Sequence, residues 1–568
     1  MENLKESSQQ KKETSRISPK SIHITRQTTI IIILAIAAFL LKFYLLYERF
    51  IYVDPDEAYY IILARNLLTG NGYAFNGLPN VVFPPFLPLL IALFYLICQD
   101  FQYSLIIITA LSGALLGVIS YKIAGKKFSS LIPIFCAFIV LFIYQLNSFL
   151  PLYLTSYIGR LYRGSDILNC LLILASIYFV ICLAEKDKYR FALLAGGSFA
   201  LSYLTRPEGL LLFLIILVCL AFLKIISLIC ISYKRLLVFL FAFVLLSSPY
   251  ILYLKNTTGK WNLSGKISSS QDHREALLEV IRNDYWIPFS NIHYAFDKEN
   301  MEMVQGYFGF HDKLEATSKI SFQSFLKNIP ENLRMYPIIP KILLPPYIMV
   351  FFLLGFAASA YKIVKRKSTI DIILFMFLPY SLLIEGLSYP IPRHHLFLVP
   401  FFCIYAVEGV ILVSSTLARK KKAFERTLLI VIISIIILFI AYDYKANLSL
   451  NNLKNPSFRK PLSVNFQISQ YLKKRKAQTI MSIHPSFAAM ALSDWQVSPQ
   501  ASLFDIIRFG KHKRVDYIVH PEPNGNVNFY NIIDMKNSYI PQDSSDEFGY
   551  IVIEQTKYFQ LLNLVKKK

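Results

Sequence analysis

Charge is what this chain has least of. Only 17% of its 568 residues are Asp, Glu, Lys or Arg, against 55% hydrophobic ones. A water-soluble fold of that composition would expose far too much apolar surface, so a soluble globular protein is excluded. Cysteine is sparse and oddly placed. All seven (Cys98, Cys136, Cys170, Cys182, Cys219, Cys230 and Cys403) lie in or at the ends of apolar segments, which argues against a disulfide framework or a zinc cluster. A phosphate-cradling glycine loop, a Walker motif, a Cys-x-x-Cys pair and a serine-nucleophile elbow are all missing. Nucleotide hydrolysis as an energy source has no sequence support. There is no internal repeat either.

What is present is long apolar segments. Runs such as Thr29–Leu41 and Leu428–Ala441 carry no charge and, with their flanks, are long enough to cross a bilayer. Spans are expected to begin near Thr28, Ser104, Leu131, Ile167, Phe191, Gly209, Leu236, Ile342, Ile370, Leu396 and Thr427, about 11 helices in all. The expected fold class is therefore a polytopic α-helical membrane protein. Residues 1–27 read as a disordered cytosolic tail, 28–444 as the transmembrane domain, and 445–568 as a small extracytoplasmic α/β domain. In that last domain Ile480–Ile483, Tyr517–His520 and Tyr550–Glu554 read as strands and Val464–Lys474 as a helix. The first outer loop is 48–103 and a second, long one is 255–341, partly helical as in Arg274–Arg282.

The net charge of +23 does not imply nucleic acid, because the positives come as short clusters between apolar runs. Lys126-Lys127, Lys186/Lys188/Arg190, Lys234-Arg235, Lys365-Arg366-Lys367 and Arg419–Lys422 all fall on one side only if the proline-rich stretch Phe83–Cys98 does not cross. That places the N-terminus in the cytoplasm and the C-terminal domain outside.

The outer side then collects the chemistry. Asp54-Pro55-Asp56-Glu57-Ala58-Tyr59-Tyr60 follows the first span and sets three carboxylates at a membrane surface, where they are expensive unless used. Asp54 as N-cap, Pro55 at the first helical position and Glu57 in the capping-box place account for part of this without any function. The helix that follows, Ala58–Leu68, reads as amphipathic and ends at Gly70. Capping does not account for Asp56, which suits a general base.

Three further clusters fall on the same side. Arg160, Arg163 and Asp166 precede the fourth span, where Asp166 is either an N-cap or a ligand and the arginines either interfacial anchors or phosphate binders. Arg206, in Thr205-Arg206-Pro207-Glu208-Gly209, is either half of an interfacial ion pair or a headgroup ligand. Pro392-Arg393-His394-His395 offers Arg393 to a phosphate. Its adjacent histidines diverge on a helix, and no third metal ligand stands at a fixed spacing. Lys266 is a weaker outer-loop cation of the same kind.

An Asp-Glu-x-x-Tyr motif after the first span, then Pro84-Pro85-Phe86-Leu87-Pro88-Leu89-Leu90, resembles the GT-C glycosyltransferases. The likeness is to their protein O-mannosyltransferase and lipid A aminoarabinose transferase branch. Ser165-Asp166 stands where that branch usually has Ser-Glu. The Arg206 turn and the Pro-Arg-His-His turn also fit, so the resemblance runs over about residues 28–415. It implies a membrane enzyme that takes a sugar from a polyprenyl phosphate outside the cytoplasm and passes it, with inversion, to an envelope glycan, lipid or protein. It implies Asp56 as base, Glu57 beside it, Asp166 positioning the donor or a divalent cation, and Arg206 and Arg393 toward the donor phosphate. Asp for Glu at 166 shortens that side chain's reach. A transporter or flippase of a lipid-linked glycan is the competing class, but few ionisable residues fall in mid-span. A non-catalytic assembly subunit is the third, and it would tolerate replacement of Asp56.

Overall fold

The computed structural model describes residues 26–48, 55–75, 78–129, 131–143, 164–229, 231–259, 261–264, 294–297, 302–305, 343–365, 368–376, 392–418, 421–447, 466–482, 485–498, 502–521, 530–541, 547–556 and 559–567. The chain opens with α1 (Arg26–Glu48), α2 (Pro55–Thr69), the short hairpin β1 (Ala74–Phe75) and β2 (Leu78–Pro79), and α3 (Phe86–Cys98). The bundle continues with α4 (Phe101–Lys127), α5 (Ile132–Phe142), α6 (Ser165–Lys186), α7 (Tyr189–Thr205), α8 (Glu208–Ile225) and α9 (Tyr233–Thr258). A hairpin of β3 (Tyr294–Asp297) and β4 (Glu302–Gln305) follows. Then come α10 (Pro346–Val364), α11 (Thr369–Phe375), a 3-10 turn (Pro392–Leu398), α12 (Val399–Leu417) and α13 (Lys422–Asn447).

Each of the eleven expected spans has a helix at its place. Among the described residues, 8 are long and apolar enough to cross a membrane. The described parts of α5, α7 and α11 are shorter, at 11, 17 and 7 residues. Bundle surfaces expose Ile33, Leu40, Val218, Phe241 and Leu438, as a lipid-facing exterior requires. Helix α10 lies directly on α12. An added methyl on Gly355 would meet the Tyr405 carbonyl and one on Gly409 the Phe351 carbonyl, so only glycine permits this approach.

Helices α1 and α4 are antiparallel neighbours. Tyr47 near the end of α1 stacks on Tyr103 near the start of α4, with ring centroids 6.0 Å apart. The chain between them, including α2 and α3, therefore returns to the end of the bundle it left. Asp100 fixes the start of α4 by accepting from the Gln102 and Tyr103 amides at 2.8 and 2.9 Å.

The C-terminal domain contains α14 (466–474), β5 (Thr479–Ser482), α15 (Ser486–Ala491), β6 (Asp494–Val497), α16 (Leu503–His512), β7 (Tyr517–Pro521), β8 (Tyr530–Asp534), β9 (Phe548–Gln555) and β10 (Phe559–Lys566). The sheet order is β6-β5-β7-β8-β10-β9. β6, β5 and β7 are parallel. The remaining strands alternate antiparallel, parallel and antiparallel. All three expected strands and the expected helix are among these elements.

One expectation needs correcting. α2 is not amphipathic: Glu57 through Ala64 are all buried. The reason is a second layer. Below, α2 packs on α3 and α4; above, the C-terminal domain sits on it through α15. The Tyr59 ring meets Trp495 edge-on at 5.4 Å, and Arg65 is paired with Asp494. A helix covered on both sides needs no polar face.

Candidate active site

The site is built where α2, α6 and the α7–α8 turn meet. Pro55 occupies the first position of α2, which costs nothing there because that N–H has no helical partner. Asp56 is the second residue of the helix; its side chain lies outside the described set, as does Asp54 altogether. Glu57 is the third and is buried. Asp56 and Glu57 stand four and three residues before Tyr60, so all three fall within one turn. The Tyr60 hydroxyl donates to Ser165 Oγ at 3.1 Å. That bond ties the acidic turn of α2 to the first turn of α6.

Asp166 is the next residue. The N-cap of α6 is Gly164, at φ +75°, so Asp166 is inside the first turn and is not the cap. Its carboxylate is instead committed to Arg206. Arg206 ends α7 and is only 9% exposed. It also reaches Glu208 Oε1 at 2.8 Å. Burial by itself would lower its pKa, but Asp166 and Glu208 outweigh that and the net shift is upward. The guanidinium is fixed as a cation between two carboxylates. The ion-pair reading of this turn is thus present in the structure, and it leaves Arg206 less free for an incoming phosphate.

An aromatic wall stands beside this junction. The Tyr253 hydroxyl donates to the Asn80 and Tyr73 carbonyls at 2.9 and 3.2 Å, and Tyr73 to the Phe83 carbonyl at 2.7 Å. Tyr73 and Tyr253 pack edge to face at 6.0 Å. Burial first, then the neighbouring Tyr250, Tyr60 and Tyr253, push the Tyr73 phenol well above its ordinary pKa, so it stays neutral. Sequence reading missed these tyrosines, since single Tyr residues in apolar runs carry no motif. It also missed Ser165 as a partner of Tyr60, although Ser165 stood in the quoted motif.

Below the junction Ile173, Ile177, Leu212, Leu374, Phe397 and Phe401, among others, line an apolar seam too narrow for a water molecule. Ile173 and Ile177 lie 7 and 11 residues after Asp166, two and three helical turns down the same side of α6. Arg393 and His394 fall in the 3-10 turn that packs against α6, with their side chains outside the described set. His395, next in the turn, is buried at 1% exposure. Arg160, Arg163, Lys266 and Arg274–Arg282 lie outside the described residues. Among the described residues no three His, Cys, Asp or Glu side chains group so as to hold a metal ion.

Residues 83–253 match the family model described as dolichyl-phosphate-mannose-protein mannosyltransferase. In three dimensions the chain is similar to ArnT from Cupriavidus metallidurans, solved bound to undecaprenyl phosphate. That match has a TM-score of 0.52 at 11% identity and covers 85% of this chain and 88% of that one. The match shows that the chain shares the fold of that structure. A second structure of similar fold is the oligosaccharyltransferase of Archaeoglobus fulgidus in its apo form. There the TM-score is 0.50 at 13% identity, over 87% of this chain and 69% of that one. No curated protein matches in sequence. As in the expected GT-C layout, a polytopic helical bundle carries a small C-terminal domain.

Proposed function

We propose that this chain is a GT-C glycosyltransferase that transfers a sugar from a polyprenyl-phosphate donor to an extracytoplasmic acceptor, with inversion at the anomeric carbon. One observation carries the reading: Tyr60–Ser165 joins the Asp56-Glu57 turn to the Asp166–Arg206 pair. A prenyl chain would part the apolar side chains of the seam beneath, with its phosphate at the junction.

In this reading Asp56 takes the proton of the acceptor hydroxyl. The hydroxyl oxygen attacks the anomeric carbon from the face opposite the phosphate. The bond from that carbon to the phosphate oxygen breaks, and the electron pair leaves on the lipid phosphate. Asp56 sits in the first turn of α2. Arg206 keeps Asp166 in place. Charge on the departing phosphate falls to cations outside that pair, for which Arg393, Arg160, Arg163 and Lys266 are the proposed sources. A divalent cation would need ligands beyond the described side chains, and no step here is routed through one.

The orientation follows from where the basic residues fall. Lys126, Lys127, Lys186, Lys188, Lys234, Lys365 and Lys421 all stand at the end of the bundle away from the C-terminal domain. With that end cytoplasmic, the site is outside.

The test is the Asp56→Asn variant in the native host, at matched protein level. Envelope glycans and polyprenyl-phosphate sugars would be profiled by mass spectrometry. The expected result is loss of one sugar from one glycan with accumulation of its lipid carrier. A profile equal to wild type would overturn the assignment of Asp56.

A further inference from the structure

The C-terminal domain carries buried polar side chains that the domain itself does not satisfy. Among the described residues these are Ser486 Oγ, Gln496 Nε2, Ser498 Oγ, His520 Nδ1 and Asn563 Oδ1. The first four stand at or near the carboxyl ends of β5, β6 and β7, with Gln496 and His520 on the sheet face of Met481 and Ile518 and Ser486 on the face of α15. Ser486 opens α15, just beyond the carboxyl end of β5. Gln496 is on β6, and Ser498 lies one residue past its end. His520 is near the carboxyl end of β7. Ser486, Gln496 and Ser498 are 1%, 6% and 2% exposed. A buried donor without a partner is costly, and a set of them at one place points to a group that is bound there.

The topology marks the same spot. From β5 the chain passes to α15, whose Phe487 packs on Tyr530 at 5.3 Å. Tyr530 pairs with Pro521, four residues on from Tyr517, which puts it on the sheet face of Tyr517, Ile480 and Trp495. From β6 the chain passes to α16. There Gly510 lies against Met481 and Ile518, on the opposite face. The connection leaving β5 returns to β6 on one face, and the one leaving β6 crosses to β7 on the other. In the order β6-β5-β7 the connections therefore diverge between β5 and β7, the place where open α/β sheets bind ligands.

The direction of the crevice follows from two contacts. Asp494 meets Arg65 and Trp495 meets Tyr59. Moving along β6 toward Ser498 is therefore moving along α2 back toward Asp56. The carboxyl end of β6 faces the turn that bears Asp56 and Glu57.

The donor set identifies the ligand chemistry. Two hydroxyls, a carboxamide and an imidazole both give and accept hydrogen bonds, and none of the four residues is a lysine or arginine. A buried anion would lack its counter-charge there. We propose that the crevice at the carboxyl ends of β6, β5 and β7 binds a neutral carbohydrate and presents it to Asp56 as the acceptor. The word acceptor rests on the transferase reading; the binding does not.

The experiment uses the full chain in lipid nanodiscs, as wild type and as Asp56→Asn. Neutral gluco-, manno-, galacto- and N-acetylglucosamine-containing trisaccharides are titrated by saturation-transfer NMR, with poly(glycerol phosphate) as the charged comparator. Ser498→Ala and Ser486→Ala remove one hydroxyl each with little risk to folding, and melting temperatures check this. The expected result is binding of at least one neutral trisaccharide to both backgrounds, weakened at least tenfold by Ser498→Ala or Ser486→Ala. Binding of the charged polymer alone, no saccharide binding, or saccharide binding that neither variant alters would overturn the proposal. Donor turnover on the same samples separates the two ideas. Turnover lost in Asp56→Asn without saccharide binding removes the crevice alone. Saccharide binding that responds to the serine variants, with turnover unaffected by Asp56→Asn, upholds the crevice as a carbohydrate site and removes the transferase assignment.

Discussion

The bundle holds a buried ion cluster at each end, and the two are built differently. At the end away from the C-terminal domain, Lys127 is paired with Asp371 and Glu408 and bonds Ser359 Oγ at 2.8 Å. Lys362 reaches Glu408 at 2.5 Å, and the Tyr405 ring lies 5.0 Å from the Lys127 ammonium. Two lysines face two carboxylates, and every one of the four has a partner. At the domain end, among the described side chains, Arg206 is the cation that faces Asp166 and Glu208. The first cluster is closed and neutral, so it joins α4, α10, α11 and α12 and has no charge left for a ligand. Among the described side chains, the second counts more carboxylates than cations.

The sharpest way to break this contrast is to neutralise one residue in each cluster. Asp166→Asn keeps the size of the side chain and removes its charge. Donor turnover in nanodiscs should fall by about 100-fold, the scale of a positioned acid–base partner. A fall of less than about fivefold, within the scatter of such measurements, would make the domain-end pair as structural as the other.

Lys127→Met should do the reverse. It leaves Asp371 and Glu408 buried without their cation, at a cost of about 3–5 kcal/mol read as thermal stability. Turnover per folded molecule should stay at the wild-type level. Adding Glu408→Gln to that variant should restore part of the loss.

Gly355→Ala sharpens the same point without touching charge. A methyl there meets the Tyr405 carbonyl, so α10 and α12 must part, and the melting temperature should drop by an amount corresponding to about 1–3 kcal/mol. The smallest change is expected from Arg65→Ala. Asp494 is 58% exposed, so the pair is worth at most about 1 kcal/mol and turnover should change little.

A pH scan distinguishes the C-terminal domain from the bundle. Burial lowers the His520 pKa from its ordinary value. A histidine whose folded pKa lies below its unfolded one adds no penalty above the unfolded pKa of about 6.5, and destabilises progressively as pH falls below it. Melting of this domain should therefore shift downward below about pH 6.5, and His520→Gln should flatten that shift. A flat profile in the wild type would contradict it.

Much of this was legible in the chain. The charge-free runs gave the helices, and the spacing of Lys126-Lys127, Lys186/Lys188 and Lys234-Arg235 put those clusters at one end once α3 was kept from crossing. Asp56-Glu57, Asp166 and Arg206 were singled out as separate motifs, and the fold places their elements at one junction. What the sequence does not show is who pairs with whom across the bundle. Arg206 reads equally as a phosphate ligand or an ion-pair partner until Asp166, 40 residues earlier, is seen beside it. The amphipathic reading of α2 failed because a periodicity argument assumes water on one side, and the C-terminal domain replaces that water. Tyr60–Ser165 and the Tyr73–Tyr253 wall depend on contacts over 100 residues or more, which no local pattern encodes. Strands β6, β8 and β10 were missed because their residues are covered on both faces or broken by charge, so alternation is weak.

The measurement that bears most directly on the account is donor turnover by purified protein in nanodiscs, comparing Asp56→Asn with Lys127→Met at equal folded concentration. The account predicts that release of sugar from a polyprenyl-phosphate donor is lost in Asp56→Asn and retained in Lys127→Met. Equal turnover in the two variants would contradict it.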